Sequence, residues 1–215
     1  MKFLDAISRF LMILALPLLL DACSGTMVDR DVAPAQLGDK AVVVLSVSHD
    51  DGAGSAADAI FYMDNNRLTE RAVLKSVHTT SKSEFKGRYG HLFVLEVSPG
   101  HHTIDGWQVV SGGLRISAAH KLSPLEFDVE NGDVIYLGDL HAELVLGHRT
   151  LFGHRVAADA RVLVIDRSDE DIPLAEAQAP ALKLRMRTAL LPLGPWGEAD
   201  TRKAFELPTV VVPTK

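Results

Sequence analysis

Between Ala41 and Asp166 the chain is a succession of short apolar runs, rich in β-branched residues and separated by turn-forming ones. None of them recurs at the spacing of a helix face, so no helix is expected to carry the chain from one strand to the next. A parallel α/β fold needs such helices. What remains is a sheet-on-sheet arrangement.

The runs place the strands. Ala41 to Ser48 (A-V-V-V-L-S-V-S) is the first, and Ala59 to Asp64 the second, with Leu68 to Val77 returning beside it. His91 to Val97 alternates, putting Phe93, Leu95 and Val97 on one face. Ser98-Pro99-Gly100-His101 suits a type II turn, and a tight hairpin there sets Leu95 across from Ile104. Leu125, Phe127 and Val129 alternate with acidic residues before Asn131-Gly132, a strong hairpin signal. Counting back from that turn pairs Val129 with Val134 and Phe127 with Tyr136. Glu143 to His148 and Arg161 to Asp166 add further strands. Asp169, Glu170 and Asp171 then suit the start of a short helix reaching about Gln178, and Pro180 can open a second through Leu182, Met186 and Leu190. The expected fold is mainly β: an antiparallel β-sandwich, Ig-like or transthyretin-like, with a short C-terminal helical appendix.

The amino-terminal segment carries an address. Lys2 and Arg9 precede an apolar run, Phe10 to Leu20, of roughly 11 residues, against the about 20 that a spanning helix needs. It reads as a signal peptide. The residues that close it, Leu20-Asp21-Ala22-Cys23, resemble a bacterial lipobox. That resemblance implies cleavage between Ala22 and Cys23, fatty acylation of the palmitate type on Cys23, and a mature lipoprotein that begins there. Two acyl chains at about 0.8 kcal/mol per buried methylene hold a protein on a membrane without a spanning helix. By analogy with enteric lipoproteins, Ser24 in place of an aspartate after the cysteine implies the outer membrane, facing the periplasm. The organisation expected is a signal peptide at 1–22, a lipid-anchored tether at 23–40, a sandwich domain with terminal helices at 41–191, and an irregular tail at 192–215.

Composition narrows the partners. The 215 residues carry a net charge of −6, and removing 1–22 leaves it unchanged, because that segment holds Lys2, Arg9, Asp5 and Asp21. A mildly acidic chain without a clustered basic face is not built to hold nucleic acid. The single cysteine excludes an internal disulfide.

Two segments, F-V-L-E-V-S-P-G-H-H-T-I and F-D-V-E-N-G-D-V-I-Y-L-G, followed by D-R-S-D-E-D, resemble a set of uncharacterised bacterial envelope lipoproteins with a single β-sandwich domain. The likeness runs roughly from Phe93 to Asp171, through Pro99, Gly100, His101 and His102 in one turn and Gly132 and Tyr136 in the next. It implies a fold and a location. It implies no activity.

The chemistry-bearing residues are few. Nine histidines invite a metal reading, for which Asp139, His141, His148 and His154 are the best set. Yet His141 and His148 stand an odd number of residues apart and would point to opposite faces of one strand, and no H-E-x-x-H or cysteine spacing accompanies them. His101 and His102 are set to contact a ligand or to close the turn they flank. Trp107 is set either to stack on a sugar or to fill a hairpin. No serine lies in a G-x-S-x-G setting, and the run Asp166 to Asp171 reads as helix-start chemistry. No catalytic residue and no cofactor are expected. The leading expectation is a lipid-anchored, non-catalytic envelope protein that touches the membrane through its anchor and an envelope protein or glycan through its sandwich. The alternatives are a metal-dependent periplasmic hydrolase around His141, His148 and His154, and a peptidoglycan-binding module using Trp107.

Overall fold

The computed structural model of the protein describes residues 26–27, 38–50, 57–64, 72–75, 83–149 and 153–197. The signal peptide, with Ala22 and Cys23, lies outside the described residues, as does 198–215. Among the described residues no helix is long and apolar enough to cross a membrane.

The fold is a mainly β sandwich, as the strand pattern predicts, with one short α-helix among the described residues. The strands are β1 (Thr26–Met27), β2 (Ala41–Asp50), β3 (Ala57–Met63), β4 (Ala72–Lys75), β5 (Arg88–Val97) and β6 (Gly100–Ser111). They continue as β7 (Leu114–Ser117), β8 (Leu125–Val129), β9 (Val134–Arg149), β10 (Arg155–Ile165), β11 (Met186–Thr188) and β12 (Gly194–Pro195). The helix α1 spans Ser168–Gln178. The larger sheet has the order β1-β5-β2-β9-β10-β12, with β11 also beside β9; the smaller has β4-β3-β6-β7, with β8 also beside β6. Most pairs are antiparallel, but β2 and β11 both run parallel to β9.

Leu45, Phe61, Ile104, Phe127, Leu137 and Trp196 meet between the two sheets in the main core. A second cluster, with Val42, Val44, Leu92, Tyr136, Ala175 and Leu182, lies on the other side of the larger sheet. That sheet is therefore covered on both faces. This explains why β2 reads as a continuous apolar run rather than an alternating one. Residues of β8 such as Glu126 and Asp128 do alternate outward, because only one face of the smaller sheet is covered there.

Both expected hairpins are corrected. Leu95 and Ile104 belong to different sheets, since β5 pairs with β2 and β6 pairs with β8. Val129 lies opposite Gly100 and Phe127 opposite His102, while Val134 lies beside Val42. Bends do form at both places: Gly100, at φ +135, departs from the roughly +80 of a type II turn, while Gly132 has φ +80 and Asp133 N donates to Glu130 O at 3.1 Å. Each carries the chain from one sheet to the other instead of back along the same one. Local turn chemistry fixes the bend, and burial decides which strand receives it. β9 is buried on both faces from Val134 to Leu140, so it takes a central place that a partner with one acidic face could not offer.

The carboxy-terminal expectations also shift. Pro180–Arg185 is a short 3-10 turn, and the chain then enters β11 at Met186 rather than continuing as a helix. The sandwich does not stop at Leu191. β12 pairs with β10, and Trp196, 6% exposed, sits in the main core with its indole N–H donating to Ser123 O at 2.8 Å. Within the expected tether, Thr26 and Met27 pair with Glu96 and Leu95.

Candidate functional site

The second face of the larger sheet changes character along its strands. Val42 and Val44 of β2 are followed on the same side by Ser46 and Ser48, all fully buried. On β9, Tyr136 is followed on that side by Asp139 and His141, because Gly138, at φ +111, is an extra residue in the β2–β9 register. Such a bulge turns a side chain to the other face. On β5, Arg88 is 4% exposed. Gly90, opposite Ser48, leaves no room for a side chain: a Cβ there would lie 2.2 Å from Val47 O.

The helix α1 closes this polar half. Asp171 is fully buried and accepts from Ser46 Oγ at 2.5 Å, from Tyr136 OH at 2.8 Å and from Arg88 Nη2 at 2.7 Å. Arg88 Nη1 lies 2.9 Å from Glu170 and 3.7 Å from Asp139, and its guanidinium rests 3.7 Å from the Phe85 ring centre. Asp139, also fully buried, accepts from Ser48 Oγ at 2.8 Å and from Arg167 Nε at 3.2 Å. His141 Nδ1 lies 2.7 Å from Ser48 Oγ, and its Nε2 lies 3.3 Å from Asp50 Oδ1. Asp50 in turn accepts from Leu144 N at 2.8 Å. Two guanidinium groups thus meet two fully buried carboxylates, with hydroxyls filling the remaining positions. A buried charge is tolerated only with such partners.

Burial pushes the Asp171 carboxyl above the usual carboxylate range, against the hydrogen bonds from Ser46 and Tyr136 and the charge of Arg88. Burial likewise pushes the Tyr136 phenol upward, with the neighbouring Asp171 charge adding to it. The phenol therefore serves as a neutral donor. The fully buried residues of α1 are Asp171 and Ala175, and Ile172 and Leu174 pack partly buried on the second cluster, so the helix meets the sheet through an ion network as well as through apolar contacts.

Ser48, His141 and Asp50 stand in the order hydroxyl, imidazole, carboxylate that activates a nucleophilic serine. Their surroundings oppose that use. Ser48 is fully buried, and its one proton faces both oxygens of Asp139 at 2.8 and 2.9 Å as well as the imidazole.

The structure brings Asp139 and His141 together and leaves His148 and His154 elsewhere. The latter two are exposed, and His148 lies seven residues farther along β9 than His141, about 23 Å at the rise of a strand. The four-residue metal set is therefore not assembled. Among the described residues no group of three or more His, Cys, Asp and Glu side chains is placed to hold a metal ion. His101 is exposed and pairs with Asp128 at 3.0 Å. His102 is buried, with Nδ1 2.7 Å from Asp64 and Nε2 2.8 Å from Ser98 O. It ties the β5–β6 crossing to β3. Trp107, 8% exposed, faces the main core and offers no ring to a sugar.

Sequence reasoning missed Ser46, Ser48, Arg88 and Asp171. The first two carried a signal, since two serines on one side of an otherwise apolar strand mark a polar patch on a buried face. Gly138 inside a strand marked the bulge. Asp171 was masked by its neighbours: Asp169 and Glu170 do face solvent at the helix start. No family model, no curated protein and no solved structure matches the chain.

Proposed function

We propose that the protein is a lipid-anchored component of the bacterial cell envelope, attached through Cys23 to the outer membrane on its periplasmic side, and that its sandwich is a non-catalytic structural or interaction module. The anchor half of this reading rests on the Leu20-Asp21-Ala22-Cys23 sequence behind a short apolar segment. One observation carries the other half. The densest group of titratable side chains among the described residues is turned inward, and Ser48, the hydroxyl set against an imidazole, has no exposed surface. A network closed in this way holds a helix on a sheet.

Cell fractionation tests the anchor. The Cys23→Ser chain is expected to leave the membrane fraction, and retention of that variant at the native level would sink the anchor. Crosslinking of the native protein in intact cells, followed by identification of what it touches, tests the interaction module. Capture of an envelope protein or glycan is the expected outcome. A fluorophosphonate probe that labels the native chain and spares Ser48→Ala would overturn the non-catalytic half.

A further inference from the structure

The pairing of β1 with β5 decides how the sandwich would stand on its membrane. A free tether from Cys23 to Ala41 is about 60 Å long when extended, enough for the domain to tumble clear of the lipid. Thr26 lies opposite Glu96, and Met27 opposite Leu95. The chain from Cys23 to that pairing is then three residue steps, about 11 Å at most. The two strands are antiparallel, so the chain enters β1 from the end of β5 that carries Val97 and Ser98. Ala41 lies opposite Val97, and Gly132 N donates to Lys40 O. The β5–β6 and β8–β9 crossings therefore share that end of the sandwich.

We infer that this end, with His101 and Asn131 exposed on it, faces the bilayer, and that the opposite end, with Lys86 and Asp50, points away from it. The two ends lie nine residue pairs apart on β2 and β5, about 30 Å. The inference rests on the lipid anchor proposed above. Charge is not what orients the domain: Lys40, Arg185 and Arg187 at the lipid-facing end are outnumbered by Asp39, Glu130, Asp133 and Asp128, the last beside His101. The short covalent link does so, and the orientation is insensitive to anionic lipid.

The test uses the full-length, processed protein with a cysteine placed at Asn131, at His101 or at Lys86 and labelled with a fluorophore. Acylated Cys23 is blocked, so the new thiol alone reacts. Each protein is reconstituted into phosphatidylethanolamine and phosphatidylglycerol vesicles containing a lipid with a nitroxide on its headgroup. Strong quenching at Asn131 and His101 and little at Lys86 is expected, with the same ratio when the phosphatidylglycerol fraction is changed. Flotation with the vesicles but equal quenching at the two ends, or stronger quenching at Lys86, overturns the orientation and leaves the anchor standing. Failure to float overturns both.

Discussion

Tyr136 and Asp139 project from the same side of the larger sheet, although they stand three positions apart on β9. Val44 lies beside Tyr136 and Ser46 beside Asp139, so two steps along β2 match three along β9. Gly138 is the extra one. Without it Asp139 would turn into the main core, where no cation waits, and Arg88, Arg167 and Ser48 would lose a shared acceptor.

Gly138→Ala tests this relationship. Its φ of +111 lies where a side chain is strained, and a Cβ there would meet Ile165 O at 3.2 Å. The strain alone costs roughly 1–3 kcal/mol. Gly106→Ala, where the nearest atom is Tyr62 Cδ2 at 3.8 Å, is the control and is expected to change stability by less than about 1 kcal/mol. Urea unfolding of both variants measures the difference, and equal losses would remove the bulge from the account.

Asp171→Ala leaves Arg88, Ser46 and Tyr136 without their common acceptor. Removing one side of a buried ion pair costs about 3–5 kcal/mol, and amide exchange in α1 should rise with the loss. Replacing the set together, with Arg88→Met, Ser46→Ala, Tyr136→Phe and Asp171→Leu, removes the orphaned groups and should recover most of the stability. A combined variant no more stable than Asp171→Ala alone would mean that packing, not unpaired charge, sets the cost.

Ser46 and Asp171 also mark the boundary of what a sequence can reveal. The sandwich was legible because strand periodicity and turn residues are local, and burial on one face writes itself as alternation. Which strand receives each turn was not legible. Asn131-Gly132 specifies a bend, and the choice between a hairpin and a crossing depends on how β9 is covered on both faces. The site was hidden for a related reason. Arg88 and Asp171 are 83 residues apart, and charged residues at those positions read as surface or helix-start chemistry until a helix is laid on the sheet. The metal set failed in the opposite direction, since closeness in sequence along one strand is distance in space.

Ser48→Ala separates a lock from a nucleophile. Asp139 keeps Arg167 and loses its hydroxyl donor, while His141 Nδ1 loses a partner at 2.7 Å. An unsatisfied buried polar group costs about 1–3 kcal/mol, so the melting temperature should fall. Crosslinked partners of the native protein should be retained by the folded variant at a temperature below its melting point. Loss of partners without loss of stability would give Ser48 a part in recognition.

His102 gives the pH prediction. A carbonyl and a carboxylate both accept hydrogen bonds, so with Ser98 O at 2.8 Å and Asp64 at 2.7 Å both of its ring nitrogens carry protons. The hydrogen bond to Asp64 raises the imidazole pKa above its ordinary value, with burial opposing and the Ser98 carbonyl and nearby carboxylates assisting. A histidine held protonated by the fold contributes stability that is fully present below the unfolded pKa of about 6.5 and is lost as pH rises through the higher folded value. The stability difference between the native chain and His102→Gln should therefore be largest at about pH 5.5 and shrink towards about pH 8.5. Taking the difference removes the contributions of the other titrating groups, provided that their surroundings are the same in both proteins. Unfolding curves across that range supply the measurement. A difference that stays constant would show that the Asp64–His102 contact holds without the imidazolium charge, and one that grows with pH would reverse the sign of the coupling.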